Sequence, residues 1–204
     1  MPSIAGKSYS NRRSLIYGKG INDFNESISY NKVKIKEYEL WKNMIQRCYC
    51  DKYNSKNPTY KECSVEEYLL SFTNFYNFVH TLKGYDLGYQ LDKDLLFKGN
   101  KIYSRDTICF LPKELNIFLT KGKHNNSDLP LGVHYDKERK LYSSNIVLYN
   151  KRKHLGRFNT PVEAFNVYKE AKEQQAKVLA ERWKDKIDER AYNALMNYKV
   201  EITD

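Results

Sequence analysis

The sequence predicts an α+β protein in two parts, and three observations predict it. Residues 35–49 and 65–82 repeat apolar side chains every three or four positions, the period of amphipathic helices. Between residues 131 and 158, three short segments alternate apolar with polar residues, the period of strands. A long helical pattern then begins at Thr160. The expected architecture is an N-terminal half of helices flanking a short hairpin, followed by a C-terminal three-stranded antiparallel sheet packed on one long helix.

Each element has a local reason. Residues 1–30 are polar, carry Arg12 and Arg13, and read as a weakly structured basic arm. In the first helix Tyr38, Trp41, Ile45 and Tyr49 share a face, while Lys42 and Arg47 fall elsewhere on the cylinder, where phosphate can be met. Residues 51–60 are loop by their Asn, Ser and Pro content. In the second helix Tyr68, Leu69, Phe72, Phe75, Val79 and Leu82 face the core. A hairpin is expected over 89–103, turning at Lys98-Gly99-Asn100. Ser104 then caps a helix start, and a short helix runs from Lys113 to Phe118. Residues 121–130 have linker composition and divide a domain at 31–120 from one at 131–185. Strands are expected over 131–136, 140–150 and 151–158. Thr160 as N-cap, Pro161 at the first helical position and Glu163 as the capping-box partner open a helix reaching Trp183. It buries Ala164, Tyr168, Ala171 and Val178 or Leu179. Residues 186–204 form a helical extension.

Bulk properties narrow the function. The chain has 204 residues with a net charge of +10, which favours a polyanionic partner: DNA, RNA or an anionic membrane surface. Solubility is the plain alternative. There are 18 Tyr, many beside Lys or Asn, as suits phosphate contact and base stacking; Lys and Asn richness is also what an AT-rich genome produces. No run of about 18 apolar residues is present, so no membrane span is expected. With no apolar signal core at the N-terminus, a cytoplasmic protein is expected. Cys48, Cys50, Cys63 and Cys109 read as buried free thiols, because zinc sites ordinarily show a C-x-x-C or C-x-x-H pair and only a C-x-C at 48–50 is present.

Residues 132–171, GVHYDKERKLYSSNIVLYNKRKHLGRFNTPVEAFNVYKEA, resemble the ethylene-response-factor (Apetala-type) DNA-binding domain. They share its G-V at the first strand, its L-G-x-F at the end of the third and its T-x-x-E-A at the helix start. Such domains lay the sheet in the major groove, which implies double-stranded DNA as the partner. Strand alternation directs Ile146 and Leu155 at the helix and Ser143, Asn145, Val147, Arg152 and His154 at the groove. His134 holds the first-strand position where that family has an arginine, and Lys151 joins the basic set. Asn suits adenine, Arg suits guanine, and Lys or His suits phosphate.

The N-terminal half resembles the free-standing HNH homing endonucleases of short-tailed bacteriophages. The resemblance rests on YGKGIND at 17–23, WKNMIQRCY at 41–49, PTY at 58–60, LDKD at 91–94, GNKIYS at 99–104 and CFLP at 109–112. It implies a ββα-metal half that hydrolyses phosphodiesters with one Mg²⁺ or Mn²⁺, in host cytoplasm if phage-encoded. No small-molecule substrate is implied, and a monomer is favoured. Asp92 takes the metal-carboxylate position and Asn100 the hairpin-orienting one. Thr107 falls where the last ligand is expected, with Asp106 beside it as a better oxygen donor.

Lys93 departs from the family's general-base histidine. It acts as a base if its surroundings lower its pKa, or it neutralises phosphate while Asp94 or a metal-bound hydroxide acts as the base. His80, on the apolar helix side, and His124, in the linker, are poor replacements. Two alternatives stand beside the nuclease: an ordinary hairpin at 89–103, and a catalytically inactive HNH-derived DNA-binding or regulatory protein.

Overall fold

The computed structural model describes residues 14–120, 129–148 and 151–204. Arg12, Arg13, His124 and most of the expected linker lie outside the described residues. In chain order the elements begin with β1 (Ser29–Tyr30), β2 (Val33–Lys34), α1 (Lys36–Tyr49), α2 (Asp51–Asn54), β3 (Ser64–Val65), α3 (Glu67–Leu70) and α4 (Phe72–Val79). They continue with β4 (Gln90–Asp92), β5 (Ile102–Tyr103), β6 (Cys109–Leu111), α5 (Lys113–Leu119), β7 (Val133–Asp136), β8 (Leu141–Leu148), β9 (Lys151–Phe158), α6 (Pro161–Trp183) and α7 (Glu189–Met196). The chain is thus mixed α+β and contains the expected three-stranded antiparallel sheet and long helix. No helix among the described residues is long and apolar enough to cross a membrane. The chain divides into two compact units: Met1–Thr81 with Asn100–Thr107, and Leu82–Gly99 with Ile108–Asp204.

In the first unit, Trp41 anchors an aromatic core. It is fully buried, its ring centroid lies 5.3 Å from that of Phe72, and its indole N–H donates to the Leu69 carbonyl at 2.9 Å. A buried indole satisfied in this way keeps its apolar gain without an orphan donor. Gly20 lies so close that a Cβ there would sit 2.8 Å from the Trp41 ring. Residues 16–24 are therefore ordered, contrary to the weakly structured arm expected over 1–30. Ile21 bridges to Ser71, donating to the Leu70 carbonyl and accepting from the Phe72 N–H.

That bridge also explains why the helix expected over 65–82 is two helices. Backbone groups at 70 and 72 are given to Ile21, and Ser71 takes extended geometry (φ −73°, ψ 127°), its hydroxyl capping the Asn74 N–H. Asp23 accepts from the Ser71 hydroxyl at 2.6 Å and the Thr73 N–H at 2.9 Å. The loop expected at 51–60 contains α2 and a 3₁₀ turn at Pro58–Tyr60.

The hairpin expected over 89–103 does not form. β4 pairs antiparallel with β6, with Asp92 opposite Cys109, whereas β5 pairs parallel with β3. The run 108–111 is fully buried and apolar, a better ladder partner for β4 than the two-residue β5. The helix start expected at Ser104 is a closed turn, with Ser104 and Thr107 bonded to each other, and the chain re-extends into β6.

The second unit is organised by α6. Its start is the expected capping box: Thr160 accepts from the Glu163 N–H, and Glu163 accepts from the Thr160 N–H. Ala164 and Phe165 pack with Val133 and Val200, and Tyr168 borders that cluster. Ala176, Leu179 and Ala180 pack instead with Cys109, Leu111, Leu115, Ile187, Ala191 and Leu195. Val178 is exposed and Ala171 is half-buried. Gly132, just before β7, has φ +76°, and a Cβ there would fall 2.1 Å from the Tyr168 ring. Gly132→Ala therefore combines left-handed strain with overpacking and should destabilise the unit by about 2 kcal/mol. Calorimetry should show the melting midpoint lowered by roughly 4–8 °C; an unchanged midpoint contradicts this packing.

Candidate functional site

The sheet presents two unlike faces. Val133, Ser144 and Gly156 share one row and Ile146 and Lys153 another, on the side where Val133 meets Ala164 and Phe165 of α6. The opposite side carries His134, Ser143 and Arg157 in one row, Asn145 across from His154 in the next, and Val147 across from Arg152 in the third. His134, Asn145, Arg152 and His154 are thus brought onto one face, as strand alternation predicts. Lys151 is not: it pairs with Leu148, in phase with Ile146.

Arg157 was missed by simple alternation, because a β-bulge lies between Ser144 and Asn145. Asn145 pairs with His154 and Ser144 with Gly156, so Leu155 is the extra residue, half-buried, and the phase of β9 shifts after it. That shift turns Arg157 onto the open face.

Polar bonds hold this face in order. The Ser143 hydroxyl donates to the His134 carbonyl at 3.2 Å. Asn145 donates through Nδ2 to the Ser143 hydroxyl at 3.4 Å, and its Oδ1 lies 3.2 Å from His154 Nδ1. Arg157 lies 3.5 Å from Asp136, which Arg139 also contacts at 3.2 Å. Arg152 and His154 are exposed, and Val147 is 63% exposed. The face thus carries basic and amide donors, with one exposed apolar side chain, Val147, in its last row.

In the same unit, Asp92 closes β4. Its Oδ1 accepts the backbone N–H groups of Asp94 at 3.0 Å and Leu95 at 2.8 Å, which folds the turn after the strand. Burial raises its pKa; the Leu95 N–H opposes this, and the Asp94 charge adds to it. Lys93 is buried, and its ammonium pairs with Asp94, whose side chain is 63% exposed.

Asp188 caps α7 and pairs with Arg190 at 2.8 Å, while Arg190 also donates to the Ile108 carbonyl at 3.2 Å. Burial pushes the Cys109 thiol far up, and Asp92 and Asp188 add to the shift while Arg190 opposes it. Asp188 and Arg190 thus belong to the electrostatic surroundings of Cys109 together with Asp92. The Asp188 cap before the last helix is the local signal in the sequence that could have found them. Asn116 on α5 donates to the Gln90 side chain at 3.0 Å.

The other expected ligands belong to the first unit. Asn100 folds its own turn, accepting from the Ile102 N–H at 3.1 Å and donating to the Ile102 carbonyl at 2.7 Å. The Thr107 hydroxyl donates to that carbonyl at 2.7 Å and accepts from the Ser104 N–H at 2.9 Å. It is spent on the turn and is a poor ligand. Asp106 is exposed. His80, expected on the apolar helix side, is exposed and lies 3.1 Å from Glu37. Lys42 and Arg47 are half-buried.

Among the described residues, no three His, Cys, Asp or Glu side chains converge on a point. Mg²⁺ needs no such cage, since one or two carboxylates suffice when water and phosphate oxygens complete the shell. Asp92 fits that limited role through its second oxygen; Thr107 does not. All four cysteines are free thiols.

No family model, curated protein or solved structure matches this chain.

Because burial raises the Asp92 pKa, its ionised form opposes folding, and the stability linked to its proton is lost as pH rises through the folded pKa. Asp92→Asn keeps an oxygen for the two backbone donors and removes the charge. Its melting temperature at pH 7 should equal or exceed wild type, with the difference shrinking towards pH 4. A melting temperature below wild type at pH 7 would contradict this account.

Proposed function

We propose that this protein is a duplex-DNA-binding endonuclease of the HNH homing type, docking through the open face of β7–β8–β9. The observation that carries the proposal is that face. His134, Asn145, Arg152, His154 and Arg157 lie together on it, backed by a helix that fills the other side. An uncovered sheet face with this donor set suits a major groove better than it suits water alone.

Hydrolysis is supported by the β4–β6 antiparallel pair, followed at once by α5, with Asp92 at the end of β4. A carboxylate held partly buried against its own ionisation is typical of sites where the charge serves a ligand. Asp92 would hold a divalent ion, which supplies electrostatic stabilisation to a phosphodiester under attack by water. The chain's own groups act around it. The Asp94 and Leu95 N–H groups orient Asp92, and the Lys93–Asp94 pair sets the local charge.

A second reading is favoured by two specific observations. Lys93 stands as an ion-paired cation where the family has its base, and Thr107 is committed to a turn. On that reading the protein binds DNA without cutting it.

Arg152→Ala should weaken duplex binding by roughly 1–3 kcal/mol at constant salt in fluorescence anisotropy if it reads a base. Arg157→Ala should lower the salt dependence by about one ion if it contacts phosphate. Unchanged affinity in the double variant would remove the sheet face from the interface. Cleavage is tested separately, by supercoiled plasmid with Mg²⁺ or Mn²⁺. Nicking lost in Asp92→Ala with duplex affinity kept supports the nuclease. No nicking by the wild type across salt and pH leaves the binding module as the function.

A further inference from the structure

Arg47 lies half-buried on α1 in the first unit, and among the described residues its partners are phenols, not carboxylates. Its Nη1 donates to the Tyr103 hydroxyl at a long 3.4 Å, and its guanidinium carbon lies 5.7 Å from the centroid of the Tyr60 ring. The Tyr53 ring lies 5.9 Å from that of Tyr60. Burial pulls the Arg47 pKa down, but Tyr103, Tyr60 and Tyr53 overcome this, so the group is a permanent cation. Burial also raises the Tyr103 pKa, which keeps its hydroxyl protonated as a donor.

A guanidinium carries five N–H donors in a rigid fork, and among the described residues one long bond to a neutral phenol leaves most of that capacity unused. Charged side chains are seldom withdrawn from water unless paired. The missing partner is therefore an anion with several acceptor oxygens. The neighbouring segment fits such a ligand: Lys52, Lys56 and Lys61 are exposed along 51–61, against Asp51 as its one acid. Lys101 donates to the Thr59 carbonyl at 3.2 Å and adds a fourth cation beside the same turn.

We infer that Arg47, Tyr53, Tyr60 and Tyr103 form a binding site for one phosphate group of a nucleic-acid backbone, built from residues other than the sheet face and Asp92. The inference rests on the DNA-binding reading only for the source of the phosphate. The site joins a bidentate cation to phenolic donors, the combination that recognises phosphate oxygens while leaving base sequence unread.

The test has two arms. In the first, inorganic phosphate is titrated into the full-length protein against chloride at equal ionic strength, and the Arg47 side-chain N–H resonance is followed by NMR. A saturable shift is expected, absent in Arg47→Gln and smaller in Tyr60→Phe. No shift beyond that of chloride overturns the site, whatever the DNA results.

In the second arm, Arg47→Gln should weaken binding to a duplex oligonucleotide about tenfold and flatten the salt dependence by about one ion, with Arg47→Lys close to wild type in slope. Equal melting temperatures of the variants exclude a folding effect. A phosphate shift combined with unchanged duplex affinity and slope in Arg47→Gln assigns the site to free phosphate and overturns the backbone assignment. A protein that binds no DNA at all still answers in the first arm, so failure of the docking proposal and failure of this one are distinguishable.

Discussion

The second unit depends on one constraint: α6 must satisfy two cores with a single rigid rod. Its first turns bury Ala164 and Phe165 beneath the sheet, and its last bury Ala176, Leu179 and Ala180 against β6, α5 and α7. Residues 164 and 176 are about 18 Å apart along the axis at the usual helical rise. Small residues at 164, 176 and 180 let neighbouring elements approach closely at both ends. A helix shared in this way ties the sheet to the strand that carries Asp92, because neither cluster can slide without exposing the other. Under the proposed function, the docking surface and the candidate catalytic carboxylate are therefore parts of one packed body. The capping box at Thr160 and Glu163 fixes where the rod begins, and Glu114, bonded to both Arg182 and Trp183, holds its far end to α5.

What could be read in the sequence follows how local each cause is. α1, the strands of the three-stranded sheet and α6 were legible because their signals are short-range: an apolar stripe, a two-residue alternation, a capping box. Gly132 was legible as a motif, but its physical reason, the Tyr168 ring against it, appears only in three dimensions. The failures are long-range. Ile21 divides the second predicted helix from fifty residues away. β4 and β5 looked like one hairpin because a Lys-Gly-Asn turn lies between them, yet each finds a better partner elsewhere. The bulge at Leu155 shows a subtler failure, since one inserted residue inverts the phase of a strand without altering its composition.

The candidate site was legible in part for the same reason. The sheet-face residues follow from alternation, and Arg157 was lost to the bulge. Asn100 and Thr107 were chosen by position in a motif, and both prove to have local tasks, closing turns through the Ile102 carbonyl. Asp188 and Arg190 come from the far end of the chain, beyond the reach of any spacing argument. Arg47 was legible as a phosphate-contact candidate off the apolar face; its distinguishing feature, a half-buried cation among phenols, depends on Tyr60 and Tyr103 arriving from other segments.

The local charge pattern around Asp92 bears on whether the site can accept DNA at all. Asp92, Lys93 and Asp94 follow one another as minus, plus, minus, and the Lys93 ammonium is already taken up by Asp94. The cluster is net negative, and Asp92 is disfavoured as an anion by burial and by Asp94. A phosphodiester brought to such a place meets repulsion, and that repulsion is strongest where water is excluded. A neutral histidine beside the carboxylate, as in the resembling family, would leave the same sign of charge, so exchanging it for Lys93 lowers the barrier to approach while removing a base that works near neutral pH. Under the proposed function, a divalent cation held at Asp92 would reverse that sign, whereas docking through the sheet would need none. On that reading, a lysine at position 93 offsets part of the negative charge met by a phosphate but supplies no imidazole to take a proton from water, so hydrolysis would turn on the cation.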